Sequence, residues 1–241
     1  MAEVFRGRLD GPMGFQKDVA IKRIRDSVVK KDEEAARSLI NEARIGGRLK
    51  HPNVVEVYEL GEEDGAYYIV MEMVDGISLR DLLGSKRQLG PKVPPNVVLD
   101  IAIQVARGLA YAHSYCSADG DSLAVVHRDV KPSNIMVTRA GTVKIMDFGI
   151  AKSEGNLFNT TATGIAKGTP LYMSPEQLRG VRPLKPASDL FSLGAILFEM
   201  VTGEILFAGS TIPEIINRVL YQPLDADIEL AEKTLPGMGA L

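Results

Sequence analysis

The feature that most constrains this chain is a polar loop at residues 127–134, which lies between apolar runs at residues 124–126 and 135–137. The apolar runs have high strand propensity, and Pro132 prevents a helix between them. The pattern therefore predicts a strand, a loop and a second strand.

The loop brings three kinds of functional group together in a short stretch of chain. Asp129 supplies a carboxylate that can accept a hydroxyl proton, Lys131 an ammonium that can neutralise phosphate charge, and Asn134 an amide oxygen that can bind a hard cation. A further predicted strand at residues 143–146 leads directly to Asp147. A second carboxylate is therefore placed close in sequence to the first loop.

These two loops resemble the catalytic and metal-binding loops of the protein kinases. The matching sequences are His-Arg-Asp-Val-Lys-Pro-Ser-Asn at residues 127–134 and Asp-Phe-Gly at residues 147–149. Asp-Phe-Gly alone is more often an ordinary turn, whereas several motifs in the family's order are specific. The resemblance implies phosphoryl transfer from ATP, with Mg²⁺ as the metal cofactor.

The resemblance assigns a role to each polar residue of the two loops. Phosphoryl transfer in this family depends on positioning and on charge neutralisation. Asp129 matches the catalytic base, and Lys131 matches the lysine that lies against the transferred phosphate. Asn134 and Asp147 match the two Mg²⁺ ligands, and both carry the hard oxygen donors that Mg²⁺ requires.

The segment Val-Ala-Ile-Lys at residues 19–22 resembles the strand whose lysine, here Lys22, holds the α- and β-phosphates of ATP. A lone lysine in a strand is usually a solvated edge residue, but the apolar neighbours and the later loops favour the functional interpretation. Glu42 matches the acidic partner of this lysine. The alternative for Glu42 is an exposed helical glutamate, because Glu33 and Glu34 belong to the same predicted helix.

The resemblance also implies an adenine pocket. Val4 matches the last residue of the family's glycine-rich loop, and Ala20 precedes Lys22 by two residues, so both are assigned to nucleotide binding. Met71 would guard the back of the pocket. Glu72 and Met73 would offer backbone groups to the edge of the adenine.

Residues 168–176 resemble the substrate-docking end of the kinase activation segment, with Ser-Pro-Glu in place of Ala-Pro-Glu. Thr169 and Glu176 are assigned to this substrate loop. Lys131 together with Thr169 resembles serine/threonine rather than tyrosine kinases, so the implied partner is a protein with a Ser or Thr acceptor. Asp189 matches the buried helix acid that accepts hydrogen bonds from the catalytic loop.

A regulatory role is implied for Arg128, because kinases with an arginine before the catalytic aspartate often use it to hold a phosphorylated activation loop. Residues 153–167 are rich in Thr, Gly and Asn, which predicts a mobile loop. Thr161 and Thr163 are the candidate sites, since a phosphate adds about −1.5 to −2 charge that can pair with Arg128. Polar loop threonines without a role are the alternative. A homodimer would allow one copy to phosphorylate the other.

The rest of the chain predicts an α+β, two-lobed kinase fold. Residues 1–73 are expected to form an N-terminal lobe with a small antiparallel sheet and one helix, and residues 74–241 a mostly helical C-terminal lobe. Residues 74–76 are the expected hinge. Strands are predicted at residues 4–9, 19–24, 54–60 and 67–73, with a loop at residues 61–65 between the last two, and helices around residues 35–43, 98–112, 190–201 and 211–220. The helix at 190–201 is apolar almost all round, which predicts burial, and the sequence Thr-Ile-Pro-Glu at residues 211–214 predicts an N-terminal cap for the last helix.

The match to the family is incomplete at both ends. Residues 1–4 align with the end of the glycine-rich loop, with Ala2 in place of its third glycine, so the fold's first strand is not expected. Its last helices are likewise not expected, and one of them carries the arginine that pairs with the glutamate matched here by Glu176, so Glu176 would lack that partner. The acidic residues at 225–232 are interpreted as a solvated face. The alternative to an enzyme is therefore a truncated kinase-like fragment that acts as a binding module.

Composition sets the remaining limits. A length of 241 residues, with 45% apolar and 24% charged residues, is typical of a soluble globular protein. The net charge of −3 and the lack of a basic run argue against nucleic-acid binding. The longest apolar stretch, at residues 193–207, is too short to span a bilayer. The single cysteine, Cys116, fits a reducing compartment and predicts a cytoplasmic protein.

Overall fold

The structure is a computed structural model that describes residues 2–24, 33–84, 93–116, 124–148 and 170–238. It has the predicted α+β class, with a small antiparallel sheet followed by a mostly helical part. The strands are β1 (Ala2–Asp10), β2 (Gln16–Ile24), β3 (Val57–Glu63), β4 (Ala66–Glu72), β5 (Gly76–Ser78), β6 (Ile135–Thr138) and β7 (Val143–Ile145). The helices are α1 (Glu33–Gly46), α2 (Leu79–Leu83), α3 (Pro95–His113), α4 (Pro175–Leu178), α5 (Ala187–Thr202), α6 (Ile212–Tyr221) and α7 (Asp225–Thr234).

The first sheet has the strand order β1-β2-β4-β3, and its strand pairs are antiparallel. Val4 lies opposite Lys22, and Ala20 lies opposite Met71. Because side chains alternate between the faces of a strand, these four residues share one face of the sheet. Ala20 and Met71 pack in a cluster with Leu39 and Ala43 of α1. The sheet thus directs Lys22 toward the helix that carries Glu42.

The helical part is built on α3 and α5, whose apolar side chains form the main core. Leu109 of α3 and Ile196 of α5 are fully buried there. Most side chains of α5 are buried, as predicted, although Leu190 is 55% exposed. A second antiparallel sheet, in the order β5-β6-β7, adds Ile135 and Ile145 to the same core and leads into the polar loops.

The prediction of a strand at residues 124–126 is wrong. Val125 and Val126 are buried, but no strand pairs with them. The Val125 N–H instead donates to Ala112 O at the end of α3. The apolar run is therefore buried next to a helix and does not join a sheet. Strand propensity alone cannot distinguish these two environments.

The predicted strand at residues 54–60 is displaced along the chain. Val54 and Val55 pair with Ile145 of β7 and not with β4, so β3 begins only at Val57. The strand then continues to Glu63, beyond the predicted start of the connecting loop. The turn is reduced to residues 64–65, Asp-Gly, both with positive φ, as in a two-residue hairpin.

The expected hinge at residues 74–76 contains a glycine with a packing role. Gly76 belongs to β5, and a Cβ atom on it would come within 2.2 Å of Val137 O on β6. The glycine is needed for this close approach of two strands. The boundary between residues 73 and 74 stays a prediction.

The C-terminal residues form more structure than expected. Helix α6 begins at the predicted cap, where the Thr211 side chain accepts the Glu214 N–H. The acidic stretch then forms helix α7, with Asp225 and Glu229 exposed and Ala231 buried. In the described ranges of the chain, no helix is both long and apolar enough to cross a membrane.

Candidate active site

The carboxylate of Asp129 is held by two neighbours in its own loop. Lys131 Nζ lies 2.7 Å from Asp129 Oδ2, and Asn134 Nδ2 donates to the backbone oxygen of Asp129 at 2.9 Å and to Oδ2 at 3.2 Å. A short 3₁₀ turn at Pro132–Asn134 folds the chain back and makes these contacts possible. The Asp129 side chain is 16% exposed, so it remains accessible to a substrate.

The loop itself is anchored to α5 by Asp189, which is 1% exposed. Asp189 accepts the backbone N–H groups of His127 and Arg128, both at 2.8 Å. His113 Nε2 at the end of α3 lies 2.7 Å from the same carboxylate. A buried acid with several partners satisfies the polar groups of a loop that strand pairing does not hold.

His127 links this loop to the one that carries Asp147. Its Nδ1 accepts the Asp129 N–H at 3.2 Å, so the ring is the tautomer with a proton on Nε2. Nε2 then donates to Met146 O at 3.1 Å, and the ring packs 4.6 Å from the Phe148 ring. The two loops are therefore fixed relative to each other by a fully buried side chain.

Asn134 and Asp147 lie next to each other because the Met146 N–H donates to Asn134 O at 2.9 Å. The Asn134 amide nitrogen is used on Asp129, which leaves its side-chain oxygen for another ligand. In the described residues no group of three or more His, Cys, Asp or Glu side chains could form a metal cage. One amide and one carboxylate oxygen suit Mg²⁺, which commonly takes its other ligands from phosphate and water.

Lys22 connects the first sheet to both acidic partners. Its Nζ lies 2.7 Å from Glu42 Oε1 and 2.9 Å from Asp147 Oδ1, and its side chain is 12% exposed. Burial alone would lower the pKa of Lys22, but the charges of Asp147 and Glu42 outweigh burial and raise it. Burial raises the pKa of Glu42 to about 7, against the opposing effect of Lys22. Lys22 is thus a protonated cation aimed at the space beside Asp147.

The residues assigned to the adenine pocket differ in their exposure. Met71 is buried and packs in the cluster with Leu39 of α1, whereas Val4 is 59% exposed and Met73 is 40% exposed. The Glu72 N–H already donates to Glu56 O, so this residue could offer an adenine only its backbone oxygen. The Glu72 side chain is held by Lys144 Nζ at 2.7 Å.

Glu176 was expected to lack the arginine that pairs with this glutamate in the family, but it has another hydrogen-bond partner, the hydroxyl of Ser188. Ser188 Oγ donates to Glu176 Oε1 at 2.6 Å, and this bond joins the first turn of α4 to the first turn of α5. Burial alone would raise the pKa of Glu176, but the hydrogen bond from Ser188 and further contacts lower it. Thr169 lies outside the described residues.

The Arg128 side chain has a buried nitrogen, Nε. Within the described part of the chain, its buried Nε has no hydrogen-bond partner. Burial and the positive charge of Arg182 lower the pKa of Arg128, against the opposing effect of Asp189. A nearby anion would oppose this lowering, because it favours the charged form of the guanidinium. Thr161 and Thr163, the proposed sources of that anion, fall outside the described residues.

Two groups near the site were missed by sequence reasoning. Arg80 of α2, Tyr172 and Glu199 of α5 form one cluster, in which Arg80 Nη1 lies 3.1 Å from Glu199 and the Tyr172 hydroxyl bonds to both partners. No local pattern indicates a contact over this sequence separation. The other group, Gln177 with Ser174, does have a signal, because Ser-x-x-Gln is a capping-box pattern.

Residues 12–235 match the family described as protein kinase domain. Among similar curated proteins, the tyrosine-protein kinase MasK of Myxococcus xanthus is 41% identical over 95% of this chain and 35% of its own length. The serine/threonine-protein kinase PrkC of Bacillus subtilis is 39% identical over 82% of this chain and 28% of its own length. The serine/threonine-protein kinase PknL of Mycobacterium tuberculosis is 37% identical over 98% and 53%. The chain therefore spans about half or less of the length of these relatives.

Proposed function

This chain belongs to the protein kinase family, and we propose that it transfers the γ-phosphoryl group of ATP to Ser or Thr hydroxyls of proteins in a Mg²⁺-dependent reaction. The observation that supports the proposal is that three polar side chains are held close together by the same hydrogen bonds. Asp129, Asn134 and Asp147 are held together by His127 and by the bond from Met146 to Asn134, and Lys22 reaches Asp147 from the sheet.

The chemistry assigned to Asp129 is that of a base and an orienting group. Its carboxylate would accept the proton of the acceptor hydroxyl while the hydroxyl oxygen bonds to the γ-phosphorus and the bond to the ADP oxygen breaks. Lys131, 2.7 Å from that carboxylate, would neutralise charge on the transferred group. Asp189 keeps the loop in place but does not touch the reacting atoms.

The nucleotide would lie between residues 1–73 and 74–241, on the sheet face that carries Val4, Ala20 and Lys22. Lys22 would bind the α- and β-phosphates. Asn134 and Asp147 would hold Mg²⁺, which screens the negative charge of the phosphates when bound.

The choice of Ser or Thr over Tyr is the finer part of the proposal. It is supported by Lys131 and by the names of PrkC and PknL, whereas MasK carries the name of a tyrosine kinase. Incubation with γ-labelled ATP, Mg²⁺ and a mixed protein substrate, followed by phosphoamino-acid analysis, tests this choice. Label on Ser and Thr is expected, and label only on Tyr would overturn it.

Two variants distinguish activity of this protein from activity of a contaminating kinase. Asp129→Asn should lose the label, whereas Asp225→Asn, which changes an exposed acid on α7, should retain it. Equal labelling by wild type and Asp129→Asn would count against the assignment.

Regulation by phosphorylation is a further part of the proposal. A phosphate on Thr161 or Thr163 would offer an acceptor to Arg128 Nε, which has no hydrogen-bond partner among the described residues, and a homodimer would allow one copy to modify the other. The support is the buried Nε of Arg128.

A further inference from the structure

The peptide unit between Arg128 and Asp129 is held at both of its ends. Its N–H, on Asp129, donates to His127 Nδ1 at 3.2 Å, and its oxygen, on Arg128, accepts Gln177 Nε2 at 2.8 Å. Arg128 has a φ of 66°, a backbone conformation that is costly for a residue other than glycine. Such a conformation persists only where the surroundings impose it.

Gln177 makes this contact with a side chain whose orientation is fixed. It is 4% exposed, and its Oε1 accepts the Ser174 N–H at 3.0 Å while its Nε2 donates to Arg128. A rotation of the amide by half a turn would break both bonds, since it would set the donor against a donor and the acceptor against an acceptor. The start of α4 and the loop of Asp129 are thus joined by one amide group.

We propose that Gln177 is a positioning residue for phosphoryl transfer, which aligns the Asp129 carboxylate by holding the Arg128–Asp129 peptide plane. The inference rests on the proposed function. Gln177 does not touch the reacting groups, so it acts through Asp129. Because residues 168–176 resemble the substrate-docking segment, the same bond couples the placement of that segment to the placement of the base.

The plain alternative is that Gln177 only caps α4. The two roles use different ends of the amide, so Gln177→Glu separates them. A carboxylate can still accept the Ser174 N–H, but it cannot donate to Arg128 O. When the carboxyl is protonated it has a donor again, and burial favours protonation. Gln177→Leu removes both bonds. Thr211→Ala, which removes the side-chain cap of α6, is the matched control for a lost cap.

The test is the steady-state kinetics of phosphoryl transfer by wild type and these three variants between pH 6 and 8.5. We expect kcat of Gln177→Leu to fall by about ten-fold or more, with KM for ATP little changed, because small misplacements of a reacting group are costly. Thr211→Ala should keep the wild-type kcat. Gln177→Glu should be impaired at high pH and should recover relative to wild type as the pH falls. A kcat within about two-fold of wild type for both Gln177 variants, or a pH-independent defect in Gln177→Glu, would overturn the proposal.

Hydrogen exchange distinguishes a failure of this inference from a failure of the proposed function. If wild type shows no transfer, the proposed function fails, but the Asp129 amide should still exchange faster in Gln177→Leu than in Thr211→Ala. Equal exchange of the peptide at residues 127–131 in the two variants would overturn the positioning role itself.

Discussion

Asp189 Oδ1 accepts the backbone N–H of Arg128 at 2.8 Å, although 61 residues separate the two in the sequence. Together with the bond to His127, this contact ties the loop of Asp129 to the central helix α5. Residues 124–126, which lead into this loop, are not in a strand, and the buried carboxylate of Asp189 holds the start of the loop instead.

Asp189→Asn should therefore destabilise the protein strongly. The new amide keeps one acceptor oxygen but turns its NH₂ group toward the second backbone N–H, which leaves a buried donor unpaired. We expect a loss of about 2–4 kcal/mol in the free energy of unfolding, or roughly 5–15 °C in Tm. Thermal unfolding measures it, with the exposed Asp225→Asn as control. Equal melting of the two variants would show that Asp189 is not an anchor.

The raised pKa of Glu42 predicts a specific pH dependence of stability. The pKa of about 7 in the folded protein lies above the ordinary value of 4.5, so the folded state binds the proton more tightly than the unfolded state. The contribution is fully present below pH 4.5 and is lost as the pH rises through 7. Urea unfolding between pH 5 and 8 should show wild type losing stability relative to Glu42→Gln.

The exposed Glu204→Gln is the control for that comparison, and its stability should follow wild type across the range. Parallel pH profiles for wild type and Glu42→Gln would contradict the burial of an ionisable Glu42.

The cluster of Arg80, Tyr172 and Glu199 predicts an order of stabilities. Burial and the neighbouring Glu199 raise the pKa of Tyr172, so its hydroxyl stays protonated and donates. Tyr172→Phe leaves the Arg80–Glu199 ion pair intact and should cost about 1–2 kcal/mol. Glu199→Leu leaves a partly buried guanidinium without its acid and should cost about 3–5 kcal/mol. Denaturant titration gives both values, and the reverse order would refute the arrangement.

Phosphorylation is predicted at Thr161 or Thr163. After incubation with ATP and Mg²⁺, mass spectrometry should find a phosphate on one of them, and Arg128→Ala should remove any gain in activity that the phosphate confers. Modification of other residues, with these two unmodified, would argue against the regulatory assignment.

The sequence predicted most elements of the fold because their patterns are local. The alternation around Lys22 and the cap at Thr211 were enough to predict β2 and the start of α6. The failures have non-local causes. Val54 and Val125 have strand propensity, but one pairs with β7 and the other bonds to the end of α3.

The candidate site shows the same division. The residues in the two polar loops were found because the motifs are contiguous. The contact of Gln177 with Arg128 and the Arg80–Glu199 pair were not found, because each joins residues that only the packing of α2, α4 and α5 brings together. The capping pattern at Ser174 marks a helix start, but it does not indicate that the other end of the glutamine amide reaches Arg128.

The most direct test of the central claim compares ATP binding with turnover in wild type, Asp129→Asn and Asp147→Asn. We expect Asp129→Asn to bind ATP with the wild-type Kd while its turnover falls by about 10²-fold or more, because only the base is lost. Asp147→Asn should weaken nucleotide binding in the presence of Mg²⁺ and have little effect without it. Normal turnover in either variant would contradict the assignment of these two loops to phosphoryl transfer.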